Sequence, residues 1–345
     1  MPADAAVATK DMSALAPPRR PRWTLGVAII VGVLLLLILV LMFWFSGEPD
    51  PFEPKERAEA TLGRKELPVG YQTVDTTIGL IDVLLDKSGG YFSNDLLPPG
   101  AWMDNVPNFE FGVLVQLREF SIALRDQFSR SATQSADDVD LREAQPLLAS
   151  PNDRWLLPST ESQYGKARTH LIAFRDRLAD ADPQNGQFYA RADNLEQWLG
   201  RVEAQLGALS QRLSASVGAE RANTDLGGDP GAEQSKSAPG SLYVKTPWSE
   251  IDDNFYEARG QCFALIHLFK AIEADFGETL RRKHAMVNVE QIVNELEATQ
   301  GAIWSPIILN GGGYGFFANH SLVIANYIAR ASRAIGELRL VLRQG

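Results

Sequence analysis

The sequence predicts a mainly α-helical protein. It comprises an N-terminal transmembrane helix and a periplasmic helical-bundle body that contains a long antiparallel helical hairpin. Three observations predict it. An uncharged apolar run fills residues 23–45. Beyond it, apolar residues recur with alternating gaps of three and four through several long segments, the period of a helix seam. Strand signals are scarce: LYVK, Leu242 to Lys245, is the one short piece that reads as extended.

The apolar run WTLGVAIIVGVLLLLILVLMFWF holds 23 residues from Trp23 to Phe45. At about 1.5 Å per residue it spans a hydrocarbon core of about 30 Å. Trp23 and the cluster Phe43, Trp44, Phe45 sit where aromatic belts belong. Arg19, Arg20 and Arg22 precede the run, while Glu48, Asp50 and Glu53 follow it. The positive-inside rule then puts residues 1–22, a polar tail expected to be disordered, in the cytoplasm and the body outside it. A cleaved signal peptide would have a shorter apolar core and a small-x-small site, which SGEPDPF does not supply. The expected location is therefore the bacterial inner membrane, with Trp23 to Phe45 as the membrane contact and the body periplasmic.

The body follows in order. Residues 46–70 are rich in Pro, Glu and Lys and read as a stalk; residues 71–345 read as one helical domain. A helix from about Thr76 to Asp86 places Ile78, Ile81, Leu84 and Leu85 on one face. A loop from Ser88 to Trp102 leads to a helix over about Asn108 to Arg130. Residues 131–158 are polar and acidic, a long connection with room for one short helix. Pro158, Ser159 and Glu161 then form a helix start, with a capping hydroxyl and an acid in the first turn. Tyr164, Ala167, Leu171, Phe174 and Leu178 continue that helix to the turn Ala181–Gly186. The next carries Phe188, Ala192, Leu195, Leu199, Val202, Leu206, Leu209 and Leu213 at a seam period of 3.5. These two helices are the expected antiparallel hairpin, over about 159–217. Residues 218–241 read as a flexible Gly/Pro/Ser-rich loop. A helix starting near Thr246 to Ser249 has the seam Ile251, Phe255, Ala258, Cys262, Leu265, Phe269, Ile272 and Phe276. Another covers about Asn288 to Gln300. The last runs from about Ser321 to Leu342.

Composition sets bounds on function. The 345 residues suffice for one or two domains with a hydrophobic core. The net charge is −10; the first 45 residues carry +2, which leaves −12 on the rest. An acidic body without basic clusters argues against nucleic-acid binding, which requires phosphate neutralisation. The single cysteine, Cys262, excludes an intrachain disulfide and reads as a small buried hydrophobe.

The stretch NGGGYGFFANHS, Asn310 to Ser321, stands out from the helices around it. Its three glycines hint at a phosphate cradle, but neither the Gly-Lys-Ser/Thr of a Walker loop nor a preceding strand is present. A tight helix-joining loop is the plainer reading. Asn319 and His320 stand at the following helix start, where His320 is either an acid/base group or a partner of the turn. No histidine pair or Cys/His set has metal-ligand spacing, and no cofactor is implied. Among 43 acids nothing selects a glycosidase pair. Trp102, Trp155, Trp248 and Trp304 all fall in loops or helix starts, either as plugs for the bundle ends or as an aromatic groove for a peptide, glycan or lipid. Residues 78–124 also echo residues 289–335 at a constant offset of 211, with seven identities in 47, among them Gly90/Gly301, Gly100/Gly311 and Asn108/Asn319. Either this is a repeat that places two loops on one surface, or it is apolar periodicity alone. On the first reading the ligand-contacting set would be Trp102, Asp104, Trp304, Asn310, Tyr314, Asn319 and His320.

The segments GGYFSNDLLPPG, NFEFGVLVQ, LPSTES, FYARADNLEQWL, LSQRLSASVG and WSPIILNGGGYGFFANHSL resemble the bacterial family called domain of unknown function 2333. The resemblance covers the stalk to the C-terminus. It implies an inner-membrane protein with a periplasmic body and assigns no activity to any residue. The function expected is that of a non-enzymatic, membrane-anchored scaffold that binds a protein partner or self-associates through its helices. The rival is an envelope glycan- or lipid-binding or hydrolysing protein, with its site at the two glycine loops.

Overall fold

The computed structural model describes residues 22–131, 135–180, 182, 185–222, 241–303, 308 and 317–344. The expected tail 1–21, most of the loop 218–241 and most of the Asn310–Ser321 stretch lie outside them. Among the described residues are eleven α-helices: α1 (Arg22–Phe45), α2 (Pro54–Leu62), α3 (Tyr71–Leu85), α4 (Asn105–Ala123), α5 (Val139–Leu148), α6 (Thr160–Leu178), α7 (Ala192–Ser214), α8 (Ile251–Asp275), α9 (Gly277–Arg282), α10 (Met286–Glu297) and α11 (His320–Arg343). Two short strands, β1 (Ala219–Ala222) and β2 (Ser241–Val244), pair antiparallel, with Glu220 opposite Tyr243.

Helix α1 is long and apolar enough to cross a membrane, with mean hydropathy 3.3, and none of its apolar window is buried in the body. The body builds around α8, which is buried on nearly every side from Ala258 to Ile272. A helix of that kind needs neighbours all round. The neighbours are α4, α10 and α3, with α2, α7 and α11 in lesser contact.

Side-chain pairs fix the helix directions. Asn108 meets Asp253 and Gln116 meets Gln261, a constant separation that makes α4 and α8 parallel. Asp75 meets Arg175 and Asp82 meets Arg168, so α3 and α6 are antiparallel. Ser210 reaches Ala325, Ser332 reaches Glu203 and Arg339 reaches Glu196, so α7 and α11 are antiparallel. Thr73 meets Asp275, which sets α3 against the run of α8. The outcome is an up-and-down bundle. Helices α4, α6, α8 and α11 start at the end where α1 enters; α3, α7 and α10 return to it. The far end is sealed by aromatic rings: Phe128 against Phe276 and Phe188, with Trp198 against Phe120 and Phe269 one layer in.

Most helix faces are those read from sequence. The seams of α7, α8 and α11 are buried, from Leu195 to Leu213, Ile251 to Phe276 and Ile324 to Leu342. Ser159 caps α6 through Ser162 N–H at 3.4 Å. The LYVK piece largely coincides with β2, and its partner β1 lies where the sequence predicts a loop.

Three expectations need correction. The α6–α7 hairpin does not form: α6 packs on α5 and α3, whereas α7 packs along α11. A heptad seam specifies which face is buried but not which partner covers it. The segment 46–70 is no free stalk, because it contains α2, which packs on α3 and α8. The two echo units also differ in packing, since α10 lies along α11 whereas α3 touches α4 less and turns to α6, both α3 and α10 packing on α8.

Candidate functional site at the α1 end of the bundle

Residues Ser46 to Glu53, which join α1 to α2, run up the side of α8 and are fixed to it at three levels. Glu48 pairs with both nitrogen arms of Arg259, with Nε to Oε1 at 2.6 Å. Arg259 is 4% exposed and also donates to the carbonyls of Thr299 and Gly301, at 2.8 and 3.0 Å. A buried guanidinium with that many acceptors is satisfied only when the linker is in place. About two turns on along α8, the Phe52 N–H donates to His267 Nε2 at 3.1 Å, and the two rings lie 4.3 Å apart. His267 Nδ1 faces Phe263 O at 2.7 Å, so Nδ1 carries the proton and Nε2 is the acceptor. Burial pushes this imidazole down to about 4, which keeps it neutral. Finally Glu53 meets Lys270, which also pairs with Glu297, each at 3.0 Å.

Helix α2 continues the attachment. Arg57 reaches Asp82 at 2.6 Å and the fully buried Asp75 at 3.2 Å, while Asp75 also holds Arg175 at 2.8 Å. Phe52 and Arg57 lie over Gly79, where a Cβ would come within 2.8 Å of the Phe52 ring. No side chain of its own caps α3; the Asp275 carboxylate accepts from Thr73 N–H at 2.8 Å instead, and burial pushes that carboxyl up to about 6.

The loop between α3 and α4 closes the other side of the α1 end. Its anchor is Glu110, wholly buried, which accepts from the N–H groups of Phe92 and Ser93, from the Ser93 hydroxyl and from Lys87. Burial raises the Glu110 carboxyl and lowers the Lys87 ammonium, and their pairing opposes both shifts. This fixed loop puts the Phe92 ring 5.7 Å from that of Phe45, the last residue of α1. A groove of about 210 Å³ lies beside it, lined by Met42, Phe43, Ser46, Trp102, Met103, Asp104, Asn105 and Val106.

The site residues expected from sequence fall into three groups. Trp102 and Asp104 line that groove, and Asp104 caps α4 by accepting from Asn105 N–H at 2.9 Å. Asn319 caps α11, its Oδ1 accepting from Leu322 N–H at 2.9 Å; His320 stacks edge-on to Phe255 at 6.4 Å. Trp304, Asn310 and Tyr314 lie outside the described residues. The groove at Trp102 is walled by α1 and not by His320, although both groups flank the first turns of α8. Cys262 is fully buried, and burial pushes its thiol up to about 12, so it is unsuited to act as a nucleophile. A second and larger groove, about 880 Å³, opens between the end of α7, β2 and the start of α8, with Gln211, Arg212, Lys245 and Asn254 among its walls.

Sequence reasoning missed Arg259, His267 and Glu110. For the first two the signal was present: Arg259, Gln261 and His267 are the polar interruptions of the otherwise apolar run Ala258 to Phe269, and a buried polar group needs a dedicated partner.

No curated protein and no solved structure matches the chain. One family model does, described as an uncharacterized protein conserved in bacteria and spanning residues 18–345. That match covers α1, the clamped linker and the whole bundle together, and the chain belongs to this bacterial family, DUF2333.

Proposed function

We propose that this protein is a non-enzymatic, membrane-anchored scaffold of the bacterial envelope, N-terminus in the cytoplasm and body in the periplasm, whose body is held directly against the membrane to present a surface to a protein partner. The observation that carries this reading is the clamp on Ser46 to Glu53. A substrate-seeking domain is served by a flexible tether. Here the first residues after the membrane helix are spent on buried contacts with Arg259 and His267. Such contacts fix the body's height and orientation over the bilayer.

The long seams do not supply the partner surface, because their apolar residues are already in the core. The groove between α7, β2 and α8 is the surface we assign to the partner, since at about 880 Å³ it exceeds the groove at Trp102 and opens at the α1 end of the bundle. Photo-reactive amino acids placed at Gln211 and Lys245 of the full chain in living cells test this. The expected result is a discrete protein adduct at both positions, along with an active alkaline phosphatase fused to the C-terminus. Adducts at neither position, a fusion whose phosphatase is inactive, or hydrolysis of envelope glycan or lipid by the purified chain would overturn the reading.

A further inference from the structure

Outside α1, the large exposed aromatic side chains are not spread over the body. Among the described residues they are Trp102, Trp155, Trp248, Tyr243 and Phe317, and every one lies at the α1 end. Trp102 follows the α3–α4 loop, Trp155 sits between α5 and α6, Trp248 precedes α8 and Phe317 precedes α11. The large apolar side chains exposed at the far end are aliphatic: Val69, Val139, Val287 and Leu340. Plugs for a bundle end would be buried, as Trp198 is.

Two loops concentrate the effect. Leu96, Leu97 and Trp102 are 60, 77 and 55% exposed; Trp155, Leu156 and Leu157 are 57, 62 and 93% exposed. The loops are joined, because Asn94 donates to Arg154 O at 2.9 Å and Tyr91 to Asn152 O at 3.1 Å. Water is a poor surrounding for six such side chains on one rigid pair of loops.

We infer that the α1 end of the body is itself a lipid-binding surface, which seats Leu96, Leu97, Trp102, Trp155, Leu156 and Leu157 in the interface of the bilayer that α1 crosses. The inference rests on α1 as the membrane anchor. Continuity with α1 identifies the occupant. Trp102 shares a groove with Met42 and Phe43, which lie inside α1, two and three residues before its last residue. At about 1.5 Å per residue that is roughly 3 to 5 Å below the helix end, the headgroup level where tryptophan partitions. The polar neighbours of the two loops, Asp95, Asp104, Asp153, Arg154 and Glu161, are mostly acidic. Attraction to anionic headgroups is therefore not the driving force; apolar and aromatic insertion is, and a zwitterionic bilayer suffices.

The test places a polarity-sensitive fluorophore on the full chain in phosphatidylcholine nanodiscs, one site at a time, through Leu97→Cys, Leu157→Cys, Leu39→Cys within α1 and Val287→Cys at the far end. The buried Cys262 stays unlabelled. Brominated phosphatidylcholine should quench the probes at 97, 157 and 39 at least twofold more than the probe at 287, with the reverse order for aqueous iodide. If 39 is quenched by lipid while 97 and 157 behave like 287, the lipid-binding surface is refuted and the anchor stands. If 39 also escapes lipid, both are refuted.

Discussion

At the scale of single residues, two buried titratable groups act on stability in opposite pH directions, His267 at the linker after α1 and Asp275 at the start of α3. His267 is neutral in the fold, with its pKa lowered to about 4 from 6.5. The unfolded chain binds the extra proton between those values, so the stability His267 contributes is present above about pH 6.5 and is lost as pH falls through 4. At one pKa unit per 1.36 kcal/mol the loss approaches about 3 kcal/mol. Protonation also places a second N–H against the Phe52 N–H, which opens the linker contact first. Asp275 runs the other way. Its pKa is raised from 3.8 to about 6, so its contribution is full below about pH 4 and is lost as pH rises through 6. Denaturant midpoints from pH 4 to 8 should separate the two. His267→Gln keeps an acceptor for Phe52 and should flatten the acid limb; Asp275→Asn should raise stability at pH 7.5 by up to about 3 kcal/mol. An unchanged acid limb in the first variant would contradict the buried neutral imidazole.

At the scale of elements, the parallel pair α4 and α8 depends on two glycines. A Cβ on Gly112 would sit 2.1 Å from Glu257 O, and one on Gly260 would sit 2.0 Å from Phe109 O. The backbones touch at this crossing, and a methyl group on either helix must force them apart. Gly112→Ala and Gly260→Ala should each cost about 3 kcal/mol in urea denaturation, the upper range for overpacking. Gly207, in the middle of α7 with no atom within 4 Å of its Cβ position, is the control. There alanine should stabilise by roughly 0.5 to 1 kcal/mol through helix propensity. Equal effects at all three positions would refute the close crossing.

The same pair of helices shows what the chain made legible. The face of α8 was readable from Ile251, Phe255, Ala258 and their successors, because periodicity reports burial directly. Its glycine contact was not, because Gly260 gains meaning only from a residue about 150 positions away. Helix α7 was readable as an element, yet its partner α11 was not, since two seams of one period fit several neighbours. Helix α2 was hidden by its composition: PKERAEATL exposes charge on most sides and hides only Pro54 and Ala58. Of the candidate site, Asn319 at the start of α11 was readable from local chemistry; Asp104 was not read as a cap, because the sequence places the start of that helix near Asn108 and not at Asn105. The anchor residues Glu110, Arg259 and His267 needed the fold to show their partners.

At the scale of the whole molecule, helix α1, the linker and the bundle form one continuous object. Glu48 with Arg259, Phe52 with His267 and Glu53 with Lys270 are the joints, and the tryptophan-bearing loops lie beside them. Removing Arg259 takes the donors from Glu48 and from two backbone carbonyls at once, so it should release the linker more than any exposed charge change. The central claim is that the body is fixed to α1 and does not swing on a tether. Double electron–electron resonance between spin labels at Leu39→Cys in α1 and Arg282→Cys in α9, in nanodiscs, measures this directly. The account predicts one narrow distance distribution that broadens when Arg259→Ala is added. A broad distribution in the otherwise unaltered chain, insensitive to Arg259, would contradict it.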